Sequence, residues 1–110
     1  MALPNTESAQ VDPEKLTEYL LSESHPVGRS KARFFRGVGF NESNVERLQW
    51  CLMEIARSQP VVESLSSCHG RKYVVDGAVT TPVGSQVTLR TIWIIEEGQI
   101  RPRFVTAYPA

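Results

Sequence analysis

The spacing of apolar residues changes character partway along the chain. Between Asp12 and Ser22, Leu16, Tyr19 and Leu20 fall on one face at helical spacing. Asp12 is suited to cap that helix, Pro13 to its first position, and Glu14 to its first turn. A second helix is expected from about Arg29 to Arg36, with Ala32, Phe34 and Phe35 as its apolar side and Gly37 and Gly39 as its stop. Ser43-Asn44-Val45-Glu46 has the spacing of a capping box. It opens the longest helix, whose inward face is Val45, Leu48, Leu52, Ile55 and Ala56 and which ends near Arg57, before Gln59-Pro60. Residues 59–71 read as a loop with a brief edge strand at Val61-Val62. From Lys72 onward the runs KYVVDGAV, QVTLRTIWII and IRPRFVTAY are strand-like. Thr81-Pro82-Val83-Gly84 and Glu96-Glu97-Gly98-Gln99 separate them with turn chemistry, so hairpins are expected.

Helices followed by strands predict an α+β fold, with two or three N-terminal helices packed on one face of a three- to four-stranded antiparallel meander. A chain of 110 residues supports one core, hence a single domain, 1–110. Its parts are a flexible or loosely docked lead (1–11), a helical half (12–58), a loop (59–71) and the meander (72–108). Pairing the strands through their turns assigns Val74, Leu89, Thr91, Trp93, Ile95, Phe104, Thr106 and Tyr108 to the core face. The open face then receives Tyr73, Val75, Arg90, Ile92, Ile94, Arg101, Arg103 and Val105. A single bulge would exchange the two sets.

Twelve basic and twelve acidic residues cancel, but unevenly. Residues 1–24 carry Glu7, Asp12, Glu14, Glu18 and Glu23 against Lys15 alone. Residues 25–41 carry Arg29, Lys31, Arg33 and Arg36 and no acid. Neutrality argues against indiscriminate polyanion binding, whereas the local cluster can hold one or two phosphates. The N-terminus lacks the basic start and apolar segment of a signal peptide, and no stretch is long and apolar enough to span a bilayer. Two cysteines, Cys51 and Cys68, do not make a disulfide framework. The expectation is a cytoplasmic protein with reduced thiols and no membrane association.

The sequence contains no CxxC, HExxH, phosphate-cradling glycine loop or GxSxG. No metal and no cofactor are therefore expected. What remains is cation chemistry. His25, Arg29 and Lys31 lie within seven residues, and Lys72, Arg90 and Arg103 come from the meander. Histidine, cations and hydroxyls suffice for metal-free RNA cleavage, in which a base takes the 2′-hydroxyl proton and cations stabilise the phosphate's added charge. Each residue also has a purely structural reading. His25 before Pro26 can cap a turn, Arg29, Arg33 and Arg36 can form a solvated helix face, and Thr106 and Tyr108 can serve as strand residues. Arg90 needs a partner within a half-buried sheet. Asp76 is a candidate, although the pairing above places it on the opposite face.

Four stretches, KLTEYLL, HPVGRSKARFF, KYVVDG with VTLRTIWIIE, and VTAYP, together resemble an uncharacterised bacterial family filed as a domain of unknown function. The likeness runs from about Leu3 to Pro109. The layout of that family is in turn similar to the barnase–EndoU–colicin–RelE-like (BECR) toxin nucleases. The resemblance implies a metal-independent endoribonuclease of a bacterial toxin or conflict system. His25 would be general acid or base, with Lys31 and Arg29 on the scissile phosphate and Arg90 on developing charge. Thr106 and Tyr108 would orient phosphate or base, and Lys72 and Arg103 would add substrate contacts. The implied partners are RNA and a cognate immunity or toxin protein. A non-catalytic immunity-like or adaptor module is the alternative, suggested by the acidic N-terminal region and zero net charge. The protein is expected as a monomer or a weak homodimer joined through an edge strand.

Overall fold

The computed structural model describes residues 1–110. The first helix, α1, starts as Pro13–Lys15, where the Asp12 carboxylate accepts the Glu14 N–H at 2.9 Å. It then widens into a π turn, Leu16–Leu20, and the Leu21 N–H donates to the Leu16 carbonyl at 2.7 Å. The wider turn directs Leu16, Leu20 and Leu21 into the core together, and all three are fully buried. Helix α2 spans Arg29–Gly37 and buries Ala32 and Phe35. Helix α3 spans Val45–Ser58 and buries Leu48, Cys51, Leu52, Ile55 and Ala56. Its lead-in is a short 3-10 turn, Glu42–Asn44, whose capping pair is Asn41 and Asn44 rather than the expected Ser43 and Glu46. Asn44 Oδ1 accepts the Asn41 N–H and Asn41 Oδ1 accepts the Ser43 N–H, each at 2.8 Å.

Strands β1 (Val61–Ser67), β2 (Gly70–Thr80), β3 (Gln86–Glu96) and β4 (Arg103–Pro109) form one antiparallel sheet in the order β1-β2-β3-β4. The fold is the expected α+β arrangement, with four strands. Residues 61–67, read as mostly loop, form a full edge strand. Their serines carry little strand preference, and pairing with β2 supplies what the segment lacks alone. The first eleven residues are fixed at both ends. Ala2 bridges Pro60, Gln10 bridges Arg103, and Leu3 and Val11 enter the core.

The helices cover the face of the sheet bearing Tyr73, Val75, Leu89, Trp93 and Phe104. Trp93 and Phe104 meet edge to face at 5.5 Å. Within this apolar layer Thr91 is fully buried. Its hydroxyl donates to the Val75 carbonyl at 2.6 Å and accepts the Trp93 indole N–H at 2.9 Å.

The expected division of faces is corrected on two strands. On β2, Tyr73 and Val75 face the core opposite Trp93 and Thr91, and Val74 and Asp76 face outward. Adjacent valines at 74 and 75 satisfied either parity, so alternation could not choose between them. On β4 a bulge at Val105 shifts the pairing from Phe104 opposite Trp93 to Thr106 opposite Ile92. Thr106 and Tyr108 thereby move to the open face, the same face as Arg90.

Candidate functional site

The corrected register arranges the open face as successive cross-strand rows. Lys72, Ile94 and Arg103 form one row, Val74, Ile92 and Thr106 the next, and Asp76, Arg90 and Tyr108 a third. Five of the eight candidate residues, Lys72, Arg90, Arg103, Thr106 and Tyr108, share this face. They are not equally available. Arg90 closes a two-pronged pair with Asp76, Nε to Oδ1 and Nη2 to Oδ2, each at 2.9 Å. That hydrogen bonding raises the guanidinium's pKa and holds the Asp76 carboxyl below its ordinary range. Arg103 donates to Glu96 at 3.0 Å. Lys72 is exposed and makes no ion pair.

The other three candidates come from the helical half. His25 sits in the turn before α2, where its Nδ1 accepts the backbone N–H groups of Val27 and Gly28, both at 3.0 Å. With Nδ1 occupied as an acceptor, the imidazole proton belongs on Nε2. The His25 carbonyl accepts the Arg29 N–H at 3.0 Å, so one residue organises the entry to α2. The turn lies against the backbone of Tyr19. A Cβ on Gly28 would come within 2.2 Å of the Tyr19 carbonyl oxygen, so only glycine allows this approach. Arg29 is exposed beside Arg33 and Arg36 in a cleft of about 230 Å³ that Glu23 also lines. Arg36 is engaged by Glu23 and Glu42, whereas Arg29 and Arg33 make no ion pair.

Tyr19 is the point where the two halves meet. Its ring takes the His25 ring edge-on at a centroid distance of 5.0 Å. The Lys15 Nζ lies 4.7 Å and the Lys31 Nζ 5.5 Å from its centroid. Its hydroxyl shares a 3.0 Å hydrogen bond with the Thr106 hydroxyl on β4. His25, Lys31 and Thr106, from three separate elements, therefore converge on one half-buried phenol. Burial by itself would raise the pKa of that phenol. The Thr106 hydrogen bond and the ammonium groups of Lys31 and Lys15 outweigh burial and hold it below its ordinary value of 10.0. The depression in front, about 370 Å³, is lined by Asp12, Glu14, Lys15, Glu18, Tyr19 and His25.

Sequence reasoning missed Tyr19 and Lys15 because helical periodicity assigns Tyr19 to the core stripe. The available signal was Lys15 four residues before Tyr19, which stacks a cation on an aromatic along one helix face. Arg90 and Tyr108 are one row from Thr106, and Lys72 and Arg103 lie on the other side of that row. A separate groove of about 310 Å³ between α3 and β2, beside the exposed Trp50, includes none of the candidates. No three His, Cys, Asp or Glu side chains are grouped to hold a metal ion, and no helix is long and apolar enough to cross a membrane.

No curated protein matches the sequence. Among solved structures, a chain of a contact-dependent growth inhibition toxin–immunity protein complex from Klebsiella pneumoniae 342 is similar in fold, with a TM-score of 0.69 and 18% identity. The match covers 91% of this chain and 98% of that one. A model for a domain of unknown function (DUF6883) matches residues 2–110, and the chain belongs to that family.

Proposed function

We propose that this protein is a metal-independent endoribonuclease domain of a bacterial toxin or conflict system, acting where α1, the His25 turn and α2 meet the outer edge of β4. The observation that carries this reading is the convergence of His25, Lys31 and Thr106 on Tyr19. Two lysines free of ion pairs, an imidazole and two hydroxyls supply cations and hydrogen-bonding groups of the kind a phosphodiester needs, beside a depression that Asp12, Glu14 and Glu18 also line. Likeness of fold to a chain of a toxin–immunity complex is consistent with the setting.

In this reading Lys31 and Arg29 grip the scissile phosphate. His25 works through Nε2 as a hydrogen-bond donor, because Nδ1 is held by the backbone. Thr106 and Tyr108 orient the substrate. Lys72 and Arg103 meet neighbouring phosphates along the strand rows. Arg90 stabilises charge on the phosphate once substrate competes with Asp76 for its guanidinium. The test is incubation of purified protein with total tRNA in EDTA, alongside expression in a bacterial host. The expected result is cleavage and a growth defect, both lost when His25→Ala, Lys31→Ala and Arg90→Ala are combined. Intact RNA at micromolar protein, or cleavage unchanged in the triple variant, refutes the proposal.

The closure of Arg90 and Arg103 by carboxylates favours a second reading, a non-catalytic immunity-like partner. Such a protein would be harmless on expression and would copurify with a basic toxin.

A further inference from the structure

We propose that Tyr19 is a catalytic residue of this site and that its phenol oxygen is the base that takes the 2′-hydroxyl proton of RNA; the inference rests on the ribonuclease reading above. The histidine that sequence reasoning favours for this task is poorly arranged for it. A base needs an unprotonated nitrogen facing the substrate. Nδ1 of His25 is the unprotonated one, and the Val27 and Gly28 N–H groups occupy it. Nε2 bears the proton and can only donate.

The phenol of Tyr19 has the opposite character. It is half-buried rather than sealed, and it stands at the meeting point of the helical half with the sheet. The side chains facing it come from every element around it: Lys15 on α1, His25 on the turn, Lys31 on α2 and Thr106 on β4. Three carboxylates, Asp12, Glu14 and Glu18, line the depression in front. They are not among the influences that set its ionisation, which are burial, Thr106 and the two lysines. Two ammonium groups and a hydroxyl donor stabilise a phenolate, which is the form a base requires. The turn that holds His25 is pressed onto the Tyr19 carbonyl, which fixes the two backbones relative to each other, and the two rings meet edge-on at 5.0 Å. Tyr19 also lies within the π turn of α1, an irregularity that recurs at functional sites.

The step balances without water or an external reagent. The 2′-oxygen gives its proton to the Tyr19 phenolate and bonds to phosphorus, while the bond from phosphorus to the 5′-oxygen breaks. The Lys31 ammonium gives a proton to the departing 5′-oxygen. The products are a 2′,3′-cyclic phosphate and a free 5′-hydroxyl. The Tyr19 phenol then passes its proton to the neutral Lys31 amine, restoring both groups.

The test compares wild type, Tyr19→Phe and Thr106→Val. Single-turnover cleavage of tRNA in EDTA is followed across pH, and binding is measured with a fully 2′-O-methylated RNA that cannot react. Tyr19→Phe is expected to lose cleavage about 100-fold or more while its affinity for the methylated RNA stays within about twofold. The wild-type rate is expected to rise with pH through an ionisation below the ordinary phenol range. Thr106→Val is expected to displace that rise to higher pH, because the phenolate loses a donor. Ultraviolet titration of the phenols should show an early phase in wild type that is absent from Tyr19→Phe. Cleavage by Tyr19→Phe within about threefold of wild type would overturn the assignment and leave the ribonuclease reading standing. Equal losses of binding and cleavage would make Tyr19 a binding group and also overturn it. Wild-type protein that cleaves no RNA would overturn both proposals.

Discussion

Gly28→Ala tests how the turn carrying His25 is joined to α1. Gly28 has φ −80° and ψ −18°, a conformation that alanine adopts without strain. Judged from the backbone alone, the substitution should stabilise the protein by about 0.4–1 kcal/mol, because the unfolded chain loses freedom. The packing predicts the opposite sign. The new Cβ would lie 2.2 Å from the Tyr19 carbonyl oxygen, 3.0 Å from its carbonyl carbon and 3.1 Å from its ring. The nearest atoms are backbone, which cannot swing away like the tip of a side chain. Relief requires the turn and α1 to separate by about 1 Å, and overpacking on that scale costs about 1–3 kcal/mol. The net expectation is a loss of about 1–2 kcal/mol, or a melting temperature lower by about 5–10 °C for a domain of this size. Thermal unfolding followed by circular dichroism measures it. The same movement draws Lys31 away from the Tyr19 ring, so the early phenol titration should shift toward its ordinary value. A variant that melts at or above the wild-type temperature would show that the turn is not seated on Tyr19 and would refute the reasoning.

Three other outcomes are expected. Thr91→Val leaves the buried Trp93 N–H without an acceptor and should lower stability by about 2 kcal/mol, read as a reduced urea midpoint. The folded-state pKa of Asp76 lies below its ordinary value, so its pair with Arg90 contributes stability above the ordinary carboxylate range and loses it as pH falls through the folded value. Asp76→Asn should therefore weaken the protein at neutral pH and flatten its acid-unfolding limb below roughly pH 4. Cys51 is buried, which pushes its thiol pKa up, whereas Cys68 is exposed and both are free. Native protein should take up one thiol label, on Cys68, and the second only on unfolding, as mass spectrometry would show.

The helices were legible because their signals are local. Asp12-Pro13 marks the start of α1, and the stripe through Leu48, Leu52 and Ile55 marks the inner face of α3. The turn at Thr81–Gly84 was legible for the same reason. Gly84 adopts φ +88°, and its N–H donates to the Thr81 carbonyl at 2.9 Å. The missing parts depend on partners distant in sequence. Strand β1 takes its form from pairing with β2, and its own Val-Val-Glu-Ser-Leu-Ser-Ser is too polar to announce it. The bulge at Val105 has no glycine to mark it, yet it decides which face Thr106 and Tyr108 occupy. For the site, residue type led to His25 and Lys31, and the family resemblance to Thr106. Composition cannot reveal that their meeting place is the phenol of Tyr19, because that contact joins positions 87 residues apart. Nor can it tell a free cation such as Lys31 from Arg90, already held by Asp76.

The opening segment bears on the two open borders of the sheet. An antiparallel sheet in the order β1-β2-β3-β4 has two raw rims, one along β1 and one along β4. Residues 1–11 touch both, at Pro60 beside the start of β1 and at Arg103 at the start of β4. Because those starts lie at opposite ends of the sheet, the segment crosses it on a diagonal, with buried Leu3 and Val11 anchoring its two ends next to the bridges. One strap thus ties down a single corner of each rim, at Val61 and at Pro102 to Phe104, so loosening either end would bare that corner alone.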